Sequence, residues 1–133
     1  MKPAVFSIAQ ELATLVPGGD FRLLDHHLAD GPVMAGVIRI DAGSVKGFWE
    51  RHDGGDEILV ILAGRATFTI STGTISTGGE DMQLEVGPGD VLCVPRAMTH
   101  GAVLHTPALD ILFFTPRDGS SAWTDDPSVT PRH

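Results

Sequence analysis

Short strand-like segments, separated by turns of glycine, proline and aspartate, fill most of the chain after residue 20. Turns such as Asp30-Gly31-Pro32 and Asp53-Gly54-Gly55-Asp56 interrupt the segments at fairly regular intervals. Strands this short, at this spacing, are typical of a β-sandwich or barrel. The predicted strands are Phe21–Leu28, Val33–Ile40, Val45–His52, Glu57–Leu62, Arg65–Ile70, Met82–Val86, Asp90–Val94, Met98–His105 and Leu109–Thr115.

One helix is expected, from Ser7 to Leu15. Ser7 can cap it, and Gln10 stands three residues later, where a capping-box partner is found. Its apolar stripe would be Ile8, Leu12 and Leu15. We therefore divide the chain into an N-terminal helix and lead-in (1–19), one barrel (20–116) and a polar, partly ordered C-terminal tail (117–133), with Ser71–Asp81 as a long, mobile hairpin loop.

Composition restricts the class of protein. A chain of 133 residues is long enough for one domain. The net charge of −8, with only 9 Lys and Arg residues, disfavours nucleic-acid binding. The longest apolar run, Ile58–Ala63, is too short to cross a membrane, and the N-terminus lacks the features of a signal peptide. The single cysteine, Cys93, excludes an internal disulfide, so we expect a soluble cytoplasmic protein.

Two histidines and two glutamates are the best candidates for a functional site. In a strand, Glu50 and His52 share one face with Phe48. Glu57 begins the next apolar strand, and His100 lies near the start of a later one. Imidazoles and carboxylates together are ligands of divalent transition metals, and polar groups inside an apolar barrel are costly unless paired or metal-bound.

The spacing of these residues resembles the two sequence motifs of the cupins. In the first, Gly43 is followed by Glu50-Arg51-His52, Glu57 and Gly64. In the second, Gly89 is followed by Pro95 and His100. The chain departs from the usual pattern at three positions, where a histidine, a glycine and an asparagine are common: Glu50, Ala97 and Leu104. The resemblance implies an all-β fold, a single cupin barrel (a double-stranded β-helix of jelly-roll type).

The resemblance also implies a divalent transition metal (Fe, Mn, Ni or Zn) held by Glu50, His52, Glu57 and His100. Glu50 is either a fourth ligand or a catalytic general base beside the metal. Cupins include dioxygenases, isomerases, epimerases and decarboxylases, so an enzyme acting on a small organic metabolite is the first hypothesis. The second is a non-catalytic module that binds a small molecule, with or without metal. A third is a purely structural or partner-binding protein whose cavity is filled, largely by Leu59, Ile61, Ala102 and Leu104.

The remaining candidates have simpler interpretations. We expect His26, His27, His105 and His133 to be surface or structural histidines, and Trp49 and Arg51 to face outward. Cys93 is expected to be a small buried apolar residue. The segment Ile58–Leu62 is apolar on both faces, so either the N-terminal segment covers it or it lies in a subunit interface. Cupins commonly dimerise across such strands, and the resemblance therefore implies a homodimer.

Overall fold

The computed structural model describes residues 5–16, 20–23, 31–43, 45, 47–71 and 81–124. The described chain contains one short helix, α1 (Ile8–Ala13), and ten strands. The strands are β1 (Asp20–Leu23), β2 (Val33–Asp41), β3 (Phe48–His52), β4 (Glu57–Ala63), β5 (Ala66–Ser71), β6 (Asp81–Val86), β7 (Val91–Val94), β8 (Thr99–Leu104), β9 (Ala108–Pro116) and β10 (Ser120–Thr124). The all-β prediction with one N-terminal helix is confirmed.

The strands form two five-stranded antiparallel sheets. The first has the order β1-β2-β9-β4-β7, and the second has the order β10-β3-β8-β5-β6. Side chains of β4 and β5 alternate between the space that the sheets enclose and the outside, as in β5, where Ala66, Phe68 and Ile70 are buried. With Ile61 and Leu109, which are fully buried, they belong to one apolar core.

Consecutive strands often lie in opposite sheets, which the sequence did not predict. The short turn 53–56 joins β3 to β4, but β4 pairs with β7 and β9 and not with β3. The turn after β3 crosses between the sheets and is fixed to the segment before β10: the Asp53 N–H donates to the Gly119 carbonyl at 2.8 Å. A Cβ at Gly54 would overlap the backbone oxygen of Asp118, so only glycine permits this approach.

The helix is shorter than predicted. Ser7 is its N-cap, and the Gln10 N–H donates to the Ser7 Oγ at 3.3 Å. None of its six residues is buried, whereas Leu15, beyond its end, is only 7% exposed. A helix of less than two turns cannot present the apolar stripe that the longer prediction required. No described helix is long and apolar enough to span a membrane.

The predicted tail contains a strand. Ser120–Thr124 (β10) pairs with β3 along all five of its residues, and Ser121 is only 3% exposed. The sequence did not predict this strand because the segment is polar and lacks the alternation of apolar residues that marks a strand. An edge strand paired with a half-polar strand can form without that alternation. The predicted Ser71–Asp81 loop lies outside the described residues except at its ends, where Ser71 and Asp81 are paired strand residues. His26, His27 and His133 also lie outside them.

Several outward-facing residues form an apolar area on the first sheet. Ile58 and Phe114 are register partners and are 39% and 37% exposed. Cys93, opposite Ile58 on β7, is exposed, so the prediction that it is buried was wrong. The reason is strand parity: Leu92 and Val94 are the β7 residues that face the core.

Candidate metal centre

Three of the four candidate residues lie on the second sheet and one lies on the first. Glu50 and His52 share a face of β3, and Glu50 is the register partner of His100 on β8. Glu57 begins β4, so it reaches the same place from the opposite sheet. One ligand atom from each of the four side chains lies within 4.8 Å of all the others. The structure therefore brings together all four residues singled out from the sequence.

The contacts alternate between imidazole and carboxylate. The His100 Nε2 lies 3.0 Å from the Glu50 Oε1 and 3.1 Å from the Glu57 Oε1. The His52 Nε2 lies 3.1 Å from the Glu57 Oε2 and 3.5 Å from the Glu50 Oε1. His52, Glu57 and His100 are 5%, 3% and 3% exposed, whereas a third of the Glu50 side chain reaches solvent.

Two of these buried atoms are close to opposite charges but are not aligned with them as hydrogen bonds. They are the His52 Nε2 and the Glu57 Oε1. A buried polar atom without a hydrogen bond is costly. A divalent cation among the four ligand atoms would satisfy both, and two imidazole nitrogens with two carboxylate oxygens form a donor set that iron, manganese, nickel and zinc accept. The residues therefore fit a divalent metal.

Two hydroxyl groups orient the ligands. The Ser120 Oγ lies 2.7 Å from the His52 Nδ1, and the Thr115 Oγ1 donates to the Glu57 Oε2 at 2.6 Å. A hydroxyl that accepts from the Nδ1–H leaves the Nε2 lone pair free for a metal, as outer partners of ligating histidines do. Neither Ser120 nor Thr115 was predicted from the sequence. Thr115 could have been identified, because it is a polar residue at an inward-facing position of a predicted strand. Nothing in the sequence pointed to Ser120.

The four side chains shift one another's proton affinities. Burial lowers the pKa of both imidazoles, but their close contacts with the charged Glu50 and Glu57 outweigh it and raise the pKa of His52 to about 10 and that of His100 to about 9. Burial raises the pKa of the carboxyls, but the two imidazoles outweigh it, lowering the pKa of Glu50 to about 2 and that of Glu57 below its ordinary value. Without a metal, the cluster therefore holds two carboxylates and two imidazoliums at neutral pH.

A turn before β8 connects the two predicted motifs. The Ala97 N–H donates to the His52 carbonyl at 2.8 Å, and the Arg96 N–H donates to the Asp56 Oδ1 at 2.7 Å. Ala97 has a positive φ of 65°, the left-handed conformation that explains why glycine is usual at this position. The turn thus fixes the start of β8, and with it His100, against the end of β3.

The four residues line one part of a cavity of about 410 Å³ between the sheets. The rest of its described lining is almost entirely apolar, with side chains that include Met34, Ile38, Phe48, Phe68, Ile111 and Phe113. Leu59 and Ala102 line this cavity but do not fill it, and Ile61 and Leu104 pack in the core. The hypothesis of a cavity filled by side chains is therefore wrong.

No protein-family model matches the sequence, and no match was found among curated protein sequences. Solved structures do match. Oxalate decarboxylase from Bacillus subtilis superimposes with a TM-score of 0.61 at 18% identity, over 80% of this chain. A cupin-2 domain protein from Shewanella frigidimarina gives a TM-score of 0.61 at 13% identity, covering 85% of this chain and 95% of that one.

These matches define the fold: the chain is a cupin barrel. It spans only 28% of the oxalate decarboxylase chain, so the likeness concerns a single barrel of that larger protein. Another structure of the B. subtilis enzyme, with the same TM-score of 0.61 and 18% identity, concerns the Mn(II) centres of that enzyme. The predicted cupin resemblance is thus confirmed at the level of fold.

Proposed function

We propose that this protein binds one divalent transition metal through Glu50, His52, Glu57 and His100, and uses it to act on a small organic molecule in the barrel. The convergence of four ligand atoms within 4.8 Å, three of them on almost fully buried side chains, carries the proposal. The Mn(II) centres of a structural neighbour support a metal of this class.

Glu50 is better suited to bind the metal than to act as a base. Its Oε1 lies 3.0 Å from the His100 Nε2 and 3.5 Å from the His52 Nε2. A metal bound by these two nitrogens would therefore also be within reach of this oxygen. A divalent cation beside this carboxyl would keep its pKa low, whereas an effective general base has a pKa near the working pH. We therefore assign Glu50 as the fourth ligand.

When bound, the metal would polarise a substrate oxygen or activate dioxygen. Ser120 and Thr115 would hold the ligands in place, and the apolar lining would enclose the apolar part of the substrate. A dioxygenase- or isomerase-like enzyme fits this arrangement.

One observation favours the second candidate, a non-catalytic binding module: the described cavity lining has no ionisable side chain beyond the four ligands. Turnover by the metal-loaded protein, with or without dioxygen, separates the two.

Elemental analysis tests the metal site directly. The purified protein should contain about one equivalent of transition metal after exposure to Mn²⁺, Fe²⁺ or Zn²⁺. His100→Ala should reduce this below one tenth of an equivalent and leave the circular dichroism spectrum unchanged. His105→Ala is the matched control, because His105 is an exposed histidine bonded to Thr67 on the outside of the barrel. Metal-free wild-type protein under these conditions would contradict the proposal.

We also propose that two copies associate through the apolar area of the first sheet, and that the protein works in the cytoplasm. Ile58, Phe114 and the neighbouring Val91 (64% exposed) support the dimer, because exposed apolar residues clustered on one face mark interfaces. Ile58→Lys should give a monomer by light scattering coupled to gel filtration. Val103→Lys, at an exposed valine on the second sheet, should not change the oligomeric state. A wild-type monomer would contradict the dimer.

A further inference from the structure

The charges around the cavity limit which molecules it can hold. Its described lining contains two carboxylates, Glu50 and Glu57, and no lysine or arginine. Four arginines of the described residues are engaged elsewhere: Arg39 with Asp110, Arg51 with Asp53, Arg96 with the Asp53 carbonyl and Arg117 with the Gly31 carbonyl. Arg65 lies against Gly87.

A divalent cation bound by two carboxylates gives a site with no net charge. The two remaining polar groups in the described lining, Ser120 and Thr115, already bond to His52 and Glu57. A dianion would therefore place two uncompensated negative charges in an apolar cavity, at a large desolvation cost. A neutral molecule, or one that becomes a monoanion on binding, avoids most of that cost.

The size and lining of the cavity indicate the rest of the molecule. A cavity of about 410 Å³ is in the lower part of the range for small-molecule sites. Aromatic side chains Phe48, Phe68 and Phe113 and aliphatic ones such as Ile38 and Ile111 surround it. A small diacid of six or seven atoms would leave most of this apolar surface uncovered, whereas a ring or branched chain would cover it.

From the charge and the lining together we propose that the cavity takes a neutral, mainly apolar organic molecule of roughly a dozen non-hydrogen atoms, which presents oxygen atoms to the metal, and that it excludes small dicarboxylates. This inference rests on the proposed metal site. The proposed substrate class also differs from oxalate, the small dicarboxylate in the name of the structural neighbour oxalate decarboxylase.

Two pairs of probe molecules test charge and apolar contact separately. Phenylmalonate and 3-phenylpentane-2,4-dione have the same skeleton, except that two carboxylate oxygens replace two methyl groups. Malonate and pentane-2,4-dione form the same pair without the ring. Titration calorimetry uses protein loaded with Zn²⁺, which has no redox chemistry and so reports binding alone. The zinc content is measured before and after each titration.

We expect 3-phenylpentane-2,4-dione to bind at least about ten-fold more tightly than phenylmalonate and than pentane-2,4-dione. Equal or tighter binding of phenylmalonate by zinc-loaded protein would overturn the substrate class and leave the metal site standing. Protein that takes up no zinc would overturn the metal site, and this inference with it.

A charge added beside the site should change the preference. Met34 lines the cavity and is the register partner of Thr115, which bonds to Glu57. Met34→Lys should shift the affinity ratio toward phenylmalonate by about ten-fold or more. Met34→Gln, of similar size and without charge, should leave the ratio near the wild-type value. If the ratio of the two affinities did not change in folded, zinc-loaded Met34→Lys, the charge of the cavity would not be what excludes dicarboxylates.

Discussion

Ala97 adopts a backbone conformation that costs free energy for any residue with a Cβ. The cost is retained because the turn that contains Ala97 holds the end of β3 next to the start of β8, where His52 and His100 must meet. The sequence marked this position only as a departure from a motif. The structure explains the departure as strain at a glycine-type position beside a functional site.

Ala97→Gly should therefore stabilise the protein, by about 1 kcal/mol, since glycine adopts a positive φ without steric cost. Urea denaturation measures the change. Gly89→Ala is the reverse control: Gly89 has a φ of 89° and open space around its Cβ position, so only the backbone conformation is tested. It should destabilise by about the same amount. A destabilising Ala97→Gly would show that the turn is not strained.

Ser120 should matter to metal affinity out of proportion to its size. Ser120→Ala removes the hydroxyl beside the His52 Nδ1 and should weaken metal binding about 10- to 100-fold, with the fold intact. Thr67→Ala removes a similar hydroxyl–imidazole contact, to His105 outside the barrel, and should not change the affinity. Competition with a chromogenic chelator gives both constants. Equal effects of the two substitutions would rule out an orienting role for Ser120.

At the scale of elements, the periodicity of the sequence predicted which side chains share a face of a strand, but it did not predict which strands pair. The alternation within β3 placed Glu50 and His52 on one face, and the alternation of β5 places Ala66, Phe68 and Ile70 in the core. The turn sequence Asp53–Asp56 did not reveal that β4 lies in the other sheet. A glycine-rich turn has the same local chemistry in a hairpin and in a crossing, and the contacts that decide between them come from Asp118 and Gly119, far along the chain.

The last strand should contribute both stability and metal affinity. A chain ending at Gly119 loses β10, which leaves the β3 edge unpaired and His52 without Ser120. We expect its melting temperature to fall by several degrees and its metal affinity to fall at least as far as in Ser120→Ala. A chain ending at Thr124 is the control and should keep both properties. If both truncated chains behaved alike, β10 would have no specific role.

For the whole molecule, the charge state of the cluster determines how stability depends on pH when no metal is bound. His52 and His100 have raised pKa values, so their contribution is complete below the unfolded value of 6.5 and is lost as pH rises through about 9 and 10. Glu50 and Glu57 have lowered pKa values, so their contribution is present above 4.5 and is lost as pH falls, toward about 2 for Glu50.

Metal-free protein should therefore melt at its highest temperature between about pH 4.5 and 6.5 and lose stability as pH rises toward 10. Metal competes with the protons on both imidazoles, so metal-loaded protein should gain stability over the same rise. Calorimetric melting across this range, with and without chelator, measures both trends. A melting temperature of the metal-free protein that does not change between pH 6 and 10 would contradict the charge state described for the cluster.

The crossing of the chain from β3 to β4 has a consequence for the fold as a whole. The first sheet provides Glu57, and the second provides Glu50, His52 and His100. An ion shared by these four residues would act as a cross-link between two layers that otherwise meet through apolar side chains. Loading it would therefore make the two sheets unfold as one cooperative unit.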